Sequence, residues 1–176
     1  NSDGQLGDGS LTRRTTPVQV PGQRARQVVA GGEFTCAVRT DDSVWCWGAN
    51  SDGKLGNDPV LVPRSSTPLA VAGLGPGTTS SIGAGAVHTC AVRLDGSVRC
   101  WGRHNGRLGD GQAGVTSAWT PVIATGVASA AAVTAGTDST CVRRANGTVA
   151  CWGQNDAGEV GSGDFFQVNT ATATAI

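Results

Sequence analysis

Apolar and polar residues alternate along this chain in short runs broken by turn residues, and no stretch holds a sustained helical period with caps. The runs fall into sets of four. They predict strands at 18–20, 27–30, 35–39 and 43–47, then at 69–71, 81–84, 89–93 and 97–101, then at 121–123, 131–135, 140–144 and 148–152. Within each set the third and fourth runs put apolar residues on alternate positions. One face then carries Cys36, Val38, Val44 and Cys46, and the other carries Trp47. Trp101 and Trp152 occupy the same place in the later sets. These three Trp are expected to pack between neighbouring units, against the next one along the chain.

The sets are copies of one another. "CAVRTDDSVWCWG" begins at Cys36, "CAVRLDGSVRCWG" at Cys90 and "CVRRANGTVACWG" at Cys141, giving periods of 54 and 51 residues. A second segment follows each copy: "ANSDGKLGND", "RHNGRLGDGQ" and "QNDAGEVGSG". The opening "NSDGQLGDGS" is a fourth copy of that segment. Four antiparallel strands in about 50 residues is the size of a β-propeller blade. The chain is therefore all-β, with units divided at 1–48, 49–102, 103–153 and 154–176. Three such units cannot close a ring, so the chain is expected to be part of a longer polypeptide or to be completed by other chains.

The hairpin register gives the cysteines a role. Each pair flanks a loop of three residues, Thr40-Asp41-Asp42, Leu94-Asp95-Gly96 or Ala145-Asn146-Gly147. With the third residue in the left-handed region, Cys36 lands opposite Cys46, Cys90 opposite Cys100 and Cys141 opposite Cys151. Opposed positions of this kind come close enough for a disulfide. Free buried cysteines at matching core positions are the other reading. Zinc is a poor fit, because every pair has nine residues between its members and the chain has only two His. Three disulfides imply an oxidising compartment, extracellular or in the cell envelope.

Composition removes several classes of partner. Formal net charge is zero, 15% of residues are charged, and no block of like charge occurs, so nucleic acid is not indicated. The least polar run, 127–133, is too short to span a bilayer.

The recurring pattern of Thr-Cys, turn dipeptide, Cys-Trp-Gly and Gly-x-Leu-Gly resembles the repeat of the regulator of chromosome condensation family, over nearly the whole chain. That resemblance implies a seven-bladed propeller, of which this chain would form a partial ring. The paired cysteines resemble bacterial exported or surface members. The copies depart from the pattern in places: the second is one residue shorter after Trp101, and the third has Val160 for Leu and Asn146 for Asp.

No catalytic constellation stands out: no Gly-x-Ser-x-Gly, Walker loop or HExxH is present. No cofactor and no metal are expected, since "NSDGKLGND" lacks the terminal Glu of a calcium loop. His88 is read as a strand-entry residue bonding the backbone, and His104 as an exposed turn residue. Asn146 begins an Asn-Gly-Thr sequon at a hairpin tip. Residues that break the repeat are the candidates for binding, because the framework is committed to folding. They are Trp45, Trp119, Phe165 and Phe166. The reading is a non-catalytic exported or cell-surface module that binds a protein or other ligand. The alternatives are a structural repeat of an extracellular assembly, with further copies as partners, and, by resemblance, an inhibitor of an extracellular enzyme. Guanine-nucleotide exchange, the namesake activity of that family, fits poorly with paired cysteines.

Overall fold

The computed structural model describes residues 1–112 and 114–163, and residues 170–175 as a strand in backbone. Twelve strands form three four-stranded antiparallel sheets. Sheet one holds β1 (Ala25–Ala30), β2 (Phe34–Arg39), β3 (Val44–Ala49) and β4 (Arg64–Ala70). Sheet two holds β5 (Thr79–Ala84), β6 (His88–Arg93), β7 (Val98–Arg103) and β8 (Ser117–Ile123). Sheet three holds β9 (Ala130–Ala135), β10 (Ser139–Arg144), β11 (Val149–Gly153) and β12 (Thr170–Ala175). One short 3-10 turn, Ser51–Gly53, follows β3.

The central hairpins obey the register read from the loops. Asp42, Gly96 and Gly147 have φ of 64°, 77° and 88°. In each loop the middle side chain then folds back. Asp41 Oδ1 accepts from the Ser43 amide and hydroxyl, Asp95 Oδ1 from those of Ser97, and Asn146 Oδ1 from those of Thr148. Cys36 pairs with Cys46, Cys90 with Cys100 and Cys141 with Cys151, each with Cα atoms 4.1 Å apart and the sulfurs bonded.

Two expectations need correction. Residues 18–20 form no strand. The run containing Thr-Pro closes the preceding sheet instead of opening the next, so β4 pairs with β3 and β8 with β7. The edge of the Cys-Trp-Gly strand is free to hydrogen-bond, and the loop after it returns the chain alongside. The glycine makes that return fit: Gly48, Gly102 and Gly153 have φ near 109°, and a Cβ on Gly48 would lie 2.5 Å from the Glu33 carbonyl oxygen.

The second correction concerns which neighbour meets the Trp face. The Cys faces of sheets one and two pack on the sheet that follows, and the Trp faces of sheets two and three pack on the sheet that precedes. Cys36, Val38, Val44 and Cys46 form one core with Ile82, Ala91 and Trp101. Cys90, Val92, Val98 and Cys100 form the next with Val133, Val142, Ala150 and Trp152. The alternation of the sequence fixes which side chains share a face, but not which sheet lies over that face.

Candidate binding surface

A recurring clamp joins the sheets. In each central hairpin a Thr sits across from the Trp: Thr35 from Trp47, Thr89 from Trp101 and Thr140 from Trp152. Both donate to one carbonyl in the loop of the preceding copy. Trp101 Nε1 reaches Lys54 O at 3.0 Å and Thr89 Oγ1 reaches it at 3.3 Å. Trp152 Nε1 and Thr140 Oγ1 hold Arg107 O at 2.8 and 3.3 Å. Trp47 and Thr35 hold Gln5 O in the same way, so the opening segment seats on sheet one. The glycine after the loop Leu permits this approach, because a Cβ on Gly109 would fall 2.7 Å from Trp152 Nε1.

An Asn shapes these loops from inside. Asn1, Asn50 and Asn155 each accept the amide of the loop Leu or Val through Oδ1. Asn50 is buried and also donates through Nδ2 to the carbonyls of Asn57 and Val62, at 3.0 and 2.7 Å. Asp58 orders the rest of that loop, accepting from the Val60 amide through its side chain and from the Val62 amide through its carbonyl. The result is a stiff loop that displays Val60, 86% exposed, and Leu61, 79% exposed. Trp119 stands on β8, against the same turn. A Cβ on Gly53 would lie 2.4 Å from Trp119 Cβ, so glycine lets β8 ride on the turn, and Trp119 remains 44% exposed. One turn therefore supports both Trp119 and the Val60–Leu61 tip.

The other candidates lie elsewhere. Trp45 is half-buried on the Trp face of sheet one, where Arg99 and Ala150 stand in the other two. The Arg39 guanidinium lies 5.0 Å from its ring, and its Nε1 donates to Ser43 Oγ. Phe165 and Phe166 lie outside the described residues. Sequence reasoning missed Val60 and Leu61. Their signal was an apolar run between Pro59 and Pro63 in a loop, where polar residues are the rule.

Both histidines differ from expectation. His88 bonds a side chain of the next sheet and not the backbone, with Nε2 2.7 Å from Thr140 Oγ1. It is fully buried, and burial pushes its pKa down to about 4, with Arg107 adding to the effect and Asp138 opposing it. His104 is 1% exposed rather than solvated. It replaces the loop Asn in the shorter second copy. Its Nε2 stands 2.8 Å from Asp110 Oδ1, in a contact whose alignment falls short of a hydrogen bond. Among the described residues no group of three or more His, Cys, Asp or Glu is placed to hold a metal. No helix there is long and apolar enough to cross a membrane.

Family models of the regulator of chromosome condensation (RCC1) repeat match residues 25–54, 80–112 and 130–159, and in a second form residues 1–38 and 41–92. The ultraviolet-B receptor UVR8 of Arabidopsis thaliana is 31% identical over 170 residues, covering 92% of this chain and 38% of that protein. Yeast RCC1 (Prp20), solved bound to Kap60, superposes with a TM-score of 0.83 at 21% identity, covering 98% of this chain and 42% of that one. Human WBSCR16 superposes at 0.82 with 22% identity, covering all of this chain and 45% of that one. The chain thus spans less than half the length of each of these proteins.

Proposed function

Because this chain belongs to the regulator of chromosome condensation repeat family, we propose that it serves as a protein-binding propeller module of an oxidising compartment, with no catalysis of its own. The observation that carries this reading is the stiff loop of sheet one with Trp119 beside it. Val60, Leu61 and Trp119 stand outside the repeated framework and are exposed; buried Asn50 holds the loop that carries the first two, and Trp119 packs on Gly53 of the same loop. Rigid, exposed apolar groups are what an interface uses as anchors. The three bonded cysteine pairs support the compartment. Zero net charge supports a protein partner over nucleic acid.

Site-specific photo-crosslinkers at positions 61 and 119 test the surface in the native setting. Discrete adducts with another protein are expected from both, and none from the exposed position Gln112. Adducts from neither would refute the surface. Thiol alkylation of protein taken from its native source tests the compartment: no reactive thiol before reduction is expected, and six would overturn it.

A second reading is favoured by the outer faces of sheets one and three. Val28 is exposed while its counterpart Ile82 is buried. Val149 is half-buried and lines an open cavity of about 210 Å³ with Ala132, Thr134 and Cys141, while its counterparts Val44 and Val98 are buried. These are the two halves of one inter-sheet contact, so the second reading is end-to-end packing of copies wherever no further unit of the same polypeptide covers these faces. Sedimentation that shows only compact monomers at micromolar concentration would eliminate it.

A further inference from the structure

The positions of Arg39, Arg93 and Arg144 are equivalent in the three sheets, and so are those of Trp45, Arg99 and Ala150. In sheet one the Arg lies over an indole. In sheet three it stands beside a small Ala and donates to Gly126 O at 3.3 Å. In sheet two alone, two guanidinium groups share one face, and neither is well satisfied. Arg93 reaches Gly73 O only at 3.5 Å. Arg99 Nε is buried and has no hydrogen-bond partner among the described residues. The nearest acid, Asp95, commits Oδ1 to the Ser97 amide and hydroxyl, lies 3.9 Å from Arg93 Nε, and has a side chain 65% exposed. Like charges on neighbouring strand positions repel, and a buried donor without a partner is costly.

Both side chains line a half-open cavity of about 140 Å³ between sheets one and two, together with Ala72, Gly73, Leu74 and Pro121. That is room for about four or five waters, enough for one oxyanion group. We propose that this pocket binds a single small oxyanion, a phosphate or a carboxylate group, held between Arg93 and Arg99. Such a ligand would supply the missing acceptors and cancel the repulsion, and the guanidinium fork suits both chemistries.

The test is a titration of the full protein with sodium phosphate and, separately, sodium acetate, at constant ionic strength held with chloride. The readout is the side-chain Nε–H resonance of Arg99, identified by its loss in Arg99→Ala, together with the melting temperature. The variant should fold, because Ala150 fills the same position in sheet three. A saturable shift of the Arg99 resonance is expected with at least one of the two anions. The anion that gives it distinguishes a phosphate from a carboxylate ligand. The apparent affinity for that anion, read from the melting shift, should weaken about tenfold or more in Arg99→Ala, as for one lost charge-assisted hydrogen bond. No saturable shift with either anion, the same shift with chloride alone, or equal stabilisation of the variant would overturn the proposal.

Discussion

The contact between sheets one and two and the contact between sheets two and three share a frame but are fitted out differently. Both close a Cys face against a Trp face, and both hang a loop carbonyl from a Trp and a Thr. A backbone bond from the following sheet to the hairpin tip is common to both, Thr79 N–H to Asp42 O and Ala130 N–H to Gly96 O. At the first contact, besides an Arg103–Asp52 ion pair at 3.3 Å and the long Arg93–Gly73 bond, the side-chain links come from β1. Gln27 exchanges two hydrogen bonds with the backbone of Ile82, like a short extra strand, and Arg26 donates to the carbonyls of Thr79 and Ser80. At the second contact Ser81 stands where Gln27 stood, and β5 instead comes close to β9. A Cβ on Gly83 would lie 2.9 Å from Val133 O. There the polar links come from the loop side: Arg107 Nε meets Asp138 Oδ1 at 2.7 Å, and His88 meets Thr140. At the first contact Lys54 has no such carboxylate across from it, since Val87 occupies that place. Burial holds its ammonium below the usual range, with Glu33 pulling the other way. The apolar frame makes any two copies compatible, whereas the Gln27, Arg26, Arg107 and His88 links belong to one contact each.

The largest effect should come from breaking the shared frame. Trp101→Ala and Trp152→Ala should each cost about 3–5 kcal/mol in chemical denaturation, as for a buried large aromatic. Similar costs at both contacts are expected. A cost below about 1 kcal/mol at either one would show that the two frames are not equivalent.

Acid should separate the contacts next. In the folded chain His88 has its pKa lowered to about 4 from an ordinary 6.5. Below pH 6.5 the unfolded chain takes up a proton that the folded chain refuses, so stability falls as pH drops and levels off near pH 4. The loss attributable to His88 is about 3 kcal/mol. Phe34 fills the matching position in sheet one, so His88→Phe should flatten that part of the profile. An unchanged slope in the variant would remove His88 from the account.

Smaller effects test the fittings one at a time. Gln27→Ala leaves the Ile82 amide and carbonyl without partners and should cost about 2 kcal/mol. Asp138→Ala breaks a partly exposed pair and should cost about 1 kcal/mol, less at high salt. If the two rank the other way in urea melts, the first contact leans on its β1 links less than its geometry implies. The smallest change expected is Trp119→Ala, at under about 1 kcal/mol, because the residue is largely outside both cores.

What the sequence made legible follows from range. The disulfide register depends on a three-residue loop and the backbone sign of its last member, all within about a dozen residues, and it can be counted. The division of Trp and Cys onto opposite faces is equally local. The order of the sheets along those faces, the strand that Thr-Pro joins, and the burial of His104 depend on partners in other strands and loops, which periodicity does not name. Of the candidate surface, Trp119 could be picked out because it breaks the repeat, while Val60 and Leu61 lie in a loop whose tip no periodicity marks. Arg99 could be seen as a departure, but its lack of a partner shows only once the sheets are placed together.

The clamp has a consequence for how such chains change length. Each copy offers one loop carbonyl forward and receives one from behind, so the contact has a direction and every unit carries one half of each kind. A duplication or loss of one whole period, cut at any point along it, therefore leaves each joint between neighbouring copies with its carbonyl, Trp and Thr. A cut that changes the period by a few residues is tolerated only within the loops, as the one-residue deletion around His104 shows. Copy number is thus free to drift in whole steps, while the phase within a step is held by a single hydrogen-bonded oxygen per unit.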